Sequence, residues 1–201
     1  MKKLVAAMLC LALSLMCAVG LANEKIDPSE LQIGVIMIGD TSDMGFNYSH
    51  LVGLQEMQKN LGIEDRQITI LENVADDSTC ADAISELISN GCNVIIGNSF
   101  GFQTYMYEAA AQHPEVLFCH YSGLLQNDTN FCRFNARNYQ TRYLQGIAAA
   151  MRSESGKIGF VGAFKNAEVN VSLNAYALGA QSVNPDVTVY VKYTNSWYDP
   201  D

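Results

Sequence analysis

Short apolar runs alternate along the chain with segments in which apolar residues recur every three or four positions. The first run, Gln32 to Ile38, is bounded by Gly39 and predicts a strand buried on both faces. Helical spacing follows from Leu51 to Leu61, and Gly62 stands where a helix would stop. The alternation continues with strands predicted at 67–71, 93–96, 116–120 and 131–135, and with helices between them at 78–90 and 102–112.

A second series of the same kind begins with the helical stripe of Leu144, Ile147, Ala148 and Met151. It predicts strands at 157–161 and 187–191, with a helix around 173–180 between them. Alternating strands and helices indicate an α/β fold, in which parallel sheets are covered by helices and joined by right-handed crossovers. Two strands are too few for a complete sheet, so we expect a first lobe at 31–135 and a truncated second lobe at 136–201.

The N-terminus has the pattern of a secretory signal peptide. Two lysines precede an apolar run from Leu4 to Leu21, which closes on the small residue Ala22. We therefore predict a signal peptide at 1–22 and an exported protein, in the periplasm or on the outer face of the cytoplasmic membrane. The alternative is an uncleaved anchor, because the run is about long enough to span a bilayer. Lipidation at Cys17 would need a small residue before it, and Met16 stands there.

The chain is acidic, with 21 Asp and Glu against 12 Lys and Arg and a formal net charge of −9. This charge makes nucleic acid and anionic membrane surfaces poor partners. Three histidines, His50, His113 and His120, have no further ligand at metal-binding spacing, and no cysteine pair has zinc-site spacing. The sequence therefore indicates no metal site and no cofactor.

The loop after the first strand, Gly39 to Asn47, offers groups suited to a neutral polar ligand with a flat ring. Phe46 can stack on such a ring, Asn47 can donate and accept at its edge, and Asp43 can accept from hydroxyl groups. The alternative is structural, with Asp43 as a helix cap and Phe46 in the core.

The loop after the third strand, Gly97 to Gly101, satisfies the G-x-S-x-G pattern of a hydrolase nucleophile. An esterase using Ser99 is therefore one alternative function. That architecture expects an acid and then a histidine further along, and His120 comes too early while no histidine follows it. We expect instead that Asn98, Ser99 and Phe100 contact a ligand or cap a helix. Trp197, after the last strand, is either a ligand contact or a core residue.

Four cysteines lie beyond the signal peptide, in a compartment where disulfides form. Cys119 and Cys132 flank a polar loop between two extended segments, and they are predicted to pair if those segments are neighbouring strands. Cys80 and Cys92 flank a helix that would hold them roughly 15 Å or more apart, beyond disulfide reach. They are interpreted as buried thiols.

Taken in order, six segments resemble the basic membrane protein family, the substrate-binding lipoproteins of ABC importers, whose characterised members include purine nucleoside receptors. No single segment is diagnostic, but the ordered set covers nearly the whole chain after residue 33. The segments are Gly45–Asn47, Gly91–Gly97, His113–Phe118, Tyr143–Ala149, Gly156–Gly162 and Val183–Asp186.

The resemblance implies a periplasmic-binding-protein-like fold of type I, with a purine nucleoside or base held between two lobes and an ABC permease as partner. By the same likeness, Phe46 and Asn47 match residues that hold the purine base. Ser122 stands where many members carry an aspartate, which allows a free base in place of a nucleoside. The poor lipidation signal allows a soluble periplasmic form as well as a membrane-anchored one. A ligand-sensing receptor of the same fold is a further alternative.

Overall fold

The computed structural model describes residues 26–197 and contains two parallel sheets. The larger sheet has five strands in the order β2-β1-β3-β4-β5, and every neighbouring pair is parallel. All four residues of β1 are buried, as its continuous apolar run predicts. The strands are β1 (Ile33–Ile36), β2 (Ile68–Leu71), β3 (Val94–Gly97), β4 (Leu117–Tyr121) and β5 (Phe131–Phe134).

Three helices cover the two faces of this sheet: α1 (Phe46–Leu61), α2 (Thr79–Ser89) and α3 (Gln103–Gln112). Neighbouring residues of a strand point to opposite faces, and this alternation separates two cores. Val35 packs in one core with Leu54 of α1, whereas Ile36 packs in the other with residues of α2 and α3. The predicted α/β fold with helices on both faces is therefore confirmed.

The second sheet pairs β6 (Lys157–Gly162) with β7 (Thr188–Tyr193) in parallel, and α4 (Asn138–Arg152) and α5 (Ala167–Gln181) pack beside it. These helices touch through two glycines. A methyl group at Gly146 would overlap the backbone of α5, and one at Gly179 would overlap the carbonyl of Tyr143 on α4. The close crossing of α4 and α5 therefore depends on both glycines.

We call the five-stranded sheet with α1 to α3 the first lobe, and β6, β7, α4 and α5 the second lobe. The domain boundary at 135/136 stays a prediction. The predicted signal peptide at 1–22 lies outside the described residues. Among residues 26–197, no helix has the length and apolar character needed to cross a bilayer.

Candidate functional site

The strand order creates a crevice at the carboxyl ends of β1 and β3. These strands are neighbours, but the chain leaves β1 into α1 on one face and leaves β3 towards α3 on the other. Open parallel sheets bind ligands at such a switch point. A cleft of about 970 Å³ lies there, walled on its far side by the second lobe. Seven of the eight predicted ligand contacts line it: Asp43, Phe46, Asn47, Asn98, Ser99, Phe100 and Trp197.

Asp43 lines the cleft, but its carboxylate is engaged by the start of α1. Oδ1 accepts from the backbone N–H groups of Gly45 and Tyr48, and Oδ2 accepts from the backbone and side-chain nitrogens of Asn47, all at 2.9 to 3.0 Å. Burial alone would raise the pKa of Asp43, but these hydrogen bonds leave it lowered. The capping alternative accounts for these contacts, and direct ligand contact by Asp43 stays a prediction.

Asn47 and Asn98 form a buried amide pair that joins the two loops. The side-chain nitrogen of Asn98 donates to Oδ1 of Asn47 at 2.9 Å, and Oδ1 of Asn98 accepts from the backbone N–H of Ile38. Since Asn47 also donates to Asp43, much of its hydrogen-bonding capacity is used within the protein. The pair fixes the carboxyl ends of β1 and β3 relative to each other.

Phe46 presents an aromatic face to the cleft. Its side chain is 42% exposed, so it is not a core residue. Its ring contacts His50 and Tyr121 edge to face, with centroids 4.7 and 5.7 Å away. Tyr121 in turn accepts a hydrogen bond from Asn138 of the second lobe at 2.8 Å. These contacts hold the ring in place while leaving one side open for stacking.

The geometry at Ser99 does not fit a hydrolase nucleophile. Its backbone is extended, with φ −108° and ψ 143°, whereas a nucleophile elbow is a strained turn. Its hydroxyl donates to Asp76 at 3.0 Å, and Nε2 of His120 contacts the carbonyl oxygen of Ser99 instead of the hydroxyl. Burial lowers the pKa of His120. Ser99 is itself buried, and its hydroxyl has no histidine base beside it within residues 26–197.

Trp197 reaches from the second lobe to Asp76 of the first. Its Nε1 donates to Oδ2 of Asp76 at 2.9 Å, and its ring packs edge to face on Phe164 at 5.1 Å between centroids. Asp76 was not among the predicted site residues. It follows β2, and a pattern along the chain does not show that it meets a residue 121 positions away.

Ser122 is the one predicted contact that does not line the cleft. It is buried, and its backbone is left-handed, with φ 68°. Its hydroxyl donates at 2.9 Å to Oε2 of Glu168, which does line the cleft. Ser122 therefore lies behind a residue that lines the cleft, and it orients the carboxylate of that residue, Glu168 of the second lobe.

Further lining residues come from the second lobe and were missed by sequence reasoning. Only their placement after strands β6 and β7 or at the start of a helix could have indicated them. They include Asn138, Arg142, Phe160, Glu168, Ser172 and Thr194.

Among the described lining residues, Asp40, Asp43 and Glu168 are acidic and Arg142 is the one base. The cleft therefore favours neutral or hydrogen-donating ligands over anions.

Cys119 and Cys132 lie directly opposite each other on β4 and β5, so the predicted strand neighbourhood is confirmed. Their sulfurs are 3.4 Å apart and unbonded, so the disulfide stays a prediction. Cys80 and Cys92 are buried free thiols, as predicted.

The fold and the cleft together define a class: two-lobed α/β proteins in which a cleft lies at the switch point of a parallel sheet. A solved ABC-transporter solute-binding protein from Aeropyrum pernix superposes with a TM-score of 0.72 at 19% identity, over 85% of this chain and 49% of that one. This likeness confirms the predicted periplasmic-binding-protein-like fold.

The chain belongs to the Bmp family, described as ABC transporter substrate-binding proteins, PnrA-like, whose family model matches residues 30–201. The family resemblance predicted from the sequence is thereby confirmed. A purine-binding protein of Brucella abortus is 38% identical over 89% of this chain and 49% of its own length. A protein of Haloferax volcanii named as a candidate ABC-transporter glucose-binding protein is 36% identical over 82% of this chain and 41% of its own length. This chain thus spans about half the length of these relatives.

Proposed function

We propose that this protein is a non-enzymatic, extracytoplasmic binding protein that captures a purine base or nucleoside and presents it to an ABC permease. The observation that carries the proposal is the exposed ring of Phe46 in a cleft at the β1/β3 switch point. A purine offers a flat face for stacking and an edge of donors and acceptors, and the cleft offers one aromatic face among polar groups. The relationship to a purine-binding protein supports the same ligand class.

A sugar is the second candidate ligand, because one relative at 36% identity is named for glucose and the cleft carries carboxylates that accept from hydroxyl groups. The hydrolase alternative has no such support. The hydroxyl of Ser99 donates a hydrogen bond to Asp76, and the backbone at Ser99 is extended and lacks the strained turn of a nucleophile elbow. Phosphorylated ligands fit poorly because of the acidic lining.

Thermal unfolding with a panel of purine bases, nucleosides and glucose tests the proposal. A ligand at a hundred times its dissociation constant stabilises the folded protein by about 2.7 kcal/mol, which raises the melting temperature of a chain this size by roughly 5 to 10 °C. We expect such a shift with at least one purine and none with glucose. A rise in melting temperature with glucose alone would show that the ligand is a sugar and that the purine assignment is wrong.

A further inference from the structure

Glu168 brings a carboxyl group into the cleft from the second lobe. It stands in the first turn of α5 and lines the cleft, while its Oε2 contacts Ser122 at the end of β4. Ser122 and Glu168 are 46 positions apart, so the contact joins the two lobes at the ligand site. Neither the capping of helices nor the Asn47–Asn98 pair uses this carboxyl group.

The hydrogen bond between Ser122 and Glu168 has a fixed direction. The Ser122 hydroxyl oxygen accepts from the backbone N–H of Gly123 at 2.5 Å. Its single hydrogen is therefore available for Glu168, and Oε2 is the acceptor. Ser122 is only 2% exposed, so water does not compete for this bond. The bond fixes one carboxyl oxygen, and within residues 26–197 the other, Oε1, has no hydrogen-bond partner.

Some neighbours of Glu168 raise the pKa of its carboxyl group and others lower it. Burial raises its pKa, the bond from Ser122 lowers it, and the negative charge of Asp76 raises it, with a net increase. The N-terminus of α5 favours the anion, since helix N-termini carry partial positive charge. Glu168 is half-buried, and a ligand N–H group aimed at Oε1 would take the place of water as its hydrogen-bond donor. A ligand lone pair in the same place would face the Glu168 carboxylate and be repelled.

On the basis of the proposed function, we propose that Glu168 is a specificity-determining acceptor that selects purines carrying an N–H donor at N1, the 6-oxopurine class, over purines that present a lone pair at N1. Hypoxanthine and guanine carry such an N–H at N1, whereas adenine has an unprotonated nitrogen there. Ser122 acts as the positioning residue that orients the carboxylate.

A methyl group on the ligand provides the sharpest probe, because it removes the N–H without altering the protein. The binding of hypoxanthine and 1-methylhypoxanthine is compared by calorimetry in the wild type, in Glu168→Gln, in Ser122→Ala, and in Glu154→Gln as a control. Glu154 is an exposed carboxylate of the same lobe and lies outside the cleft. A hydrogen bond to a charged group corresponds to about 10- to 150-fold in affinity.

We expect the wild type and Glu154→Gln to prefer hypoxanthine over its methylated form by at least about tenfold. In Glu168→Gln the preference should shrink, and in Ser122→Ala it should shrink in part. An unchanged preference in Glu168→Gln, or equal binding of both ligands by the wild type, would overturn the inference while leaving purine binding intact. Absence of any purine binding would overturn the proposed function itself, and the inference with it.

Discussion

At the scale of single residues, the sequence pattern identified candidates but could not assign their roles. The pattern allowed Asp43 to be either a ligand contact or a helix cap. The structure shows four hydrogen bonds from the start of α1 to its carboxylate. The pattern left Phe46 open between stacking and core, and an exposure of 42% removes the core alternative. Glu168 and Asp76 were missed because their importance depends on partners 46 and 121 positions away.

Replacement of Phe46 by alanine should weaken ligand binding far more than it weakens the fold. Stacking of a base on an aromatic side chain contributes about 1 to 3 kcal/mol, or roughly five- to 150-fold in affinity. The ring is half exposed, so its loss should change the ligand-free melting temperature little. Calorimetry and thermal unfolding of the same variant separate the two effects.

Phe134 offers a matched control, since it is 44% exposed and lies outside the cleft. Phe134→Ala should leave purine affinity unchanged. A collapse of the melting temperature in Phe46→Ala would indicate a structural role, because the loss of a core phenylalanine costs about 3 to 5 kcal/mol. Unaltered purine affinity in Phe46→Ala would remove the residue from the site.

At the scale of elements, the alternation of apolar runs and helical stripes was enough to predict the seven strands and the five α-helices of the described chain, but not its four short 3-10 helices. Strand order was not predictable in the same way, because it depends on packing between segments far apart in sequence. The pairing of β1 with both β2 and β3 sets the switch point. The close crossing of α4 and α5 likewise depends on Gly146 and Gly179, which a hydrophobic pattern does not single out.

Oxidation should join Cys119 to Cys132 across β4 and β5. Their sulfurs are 3.4 Å apart, and a small side-chain rotation brings them to bonding distance. Burial and the neighbouring Cys132 raise the pKa of Cys119 to about 12, so the exposed Cys132 should react first with an oxidant or alkylating agent. Intact-mass measurement with and without reductant should show the loss of two hydrogens, which Cys132→Ser would abolish. Free alkylation of both thiols in the exported protein would contradict the pairing.

Substitution of Gly179 by alanine should destabilise the second lobe. The added methyl group would overlap the Tyr143 carbonyl on α4, and such overpacking costs about 1 to 3 kcal/mol. Gly53→Ala in α1 is the matched control, since nothing lies within 4 Å of the added atom there. That change should be neutral or stabilise by up to about 1 kcal/mol. Urea unfolding followed by circular dichroism compares the two, and equal stability of both variants would refute the close crossing.

At the scale of the whole molecule, the architecture was predictable because each lobe repeats one simple unit of strand and helix. The cleft was predictable only in part. Its first-lobe residues lie in loops that directly follow predicted strands, whereas its second-lobe residues come near those loops only in the folded protein. Asp76 and Trp197 illustrate this limit, because their hydrogen bond joins one lobe to the other. The acidic balance of the chain, by contrast, already made nucleic acid and anionic membrane surfaces poor partners.

The central claim is that the cleft binds a purine ring against Phe46. Isothermal titration calorimetry of the purified protein with hypoxanthine, inosine, adenosine monophosphate and glucose tests it most directly. We predict saturable one-to-one binding of hypoxanthine or inosine, weakened at least fivefold or so by Phe46→Ala, and little binding of the phosphorylated nucleoside or of glucose. Tight binding of glucose, with no binding of either purine, would contradict the account.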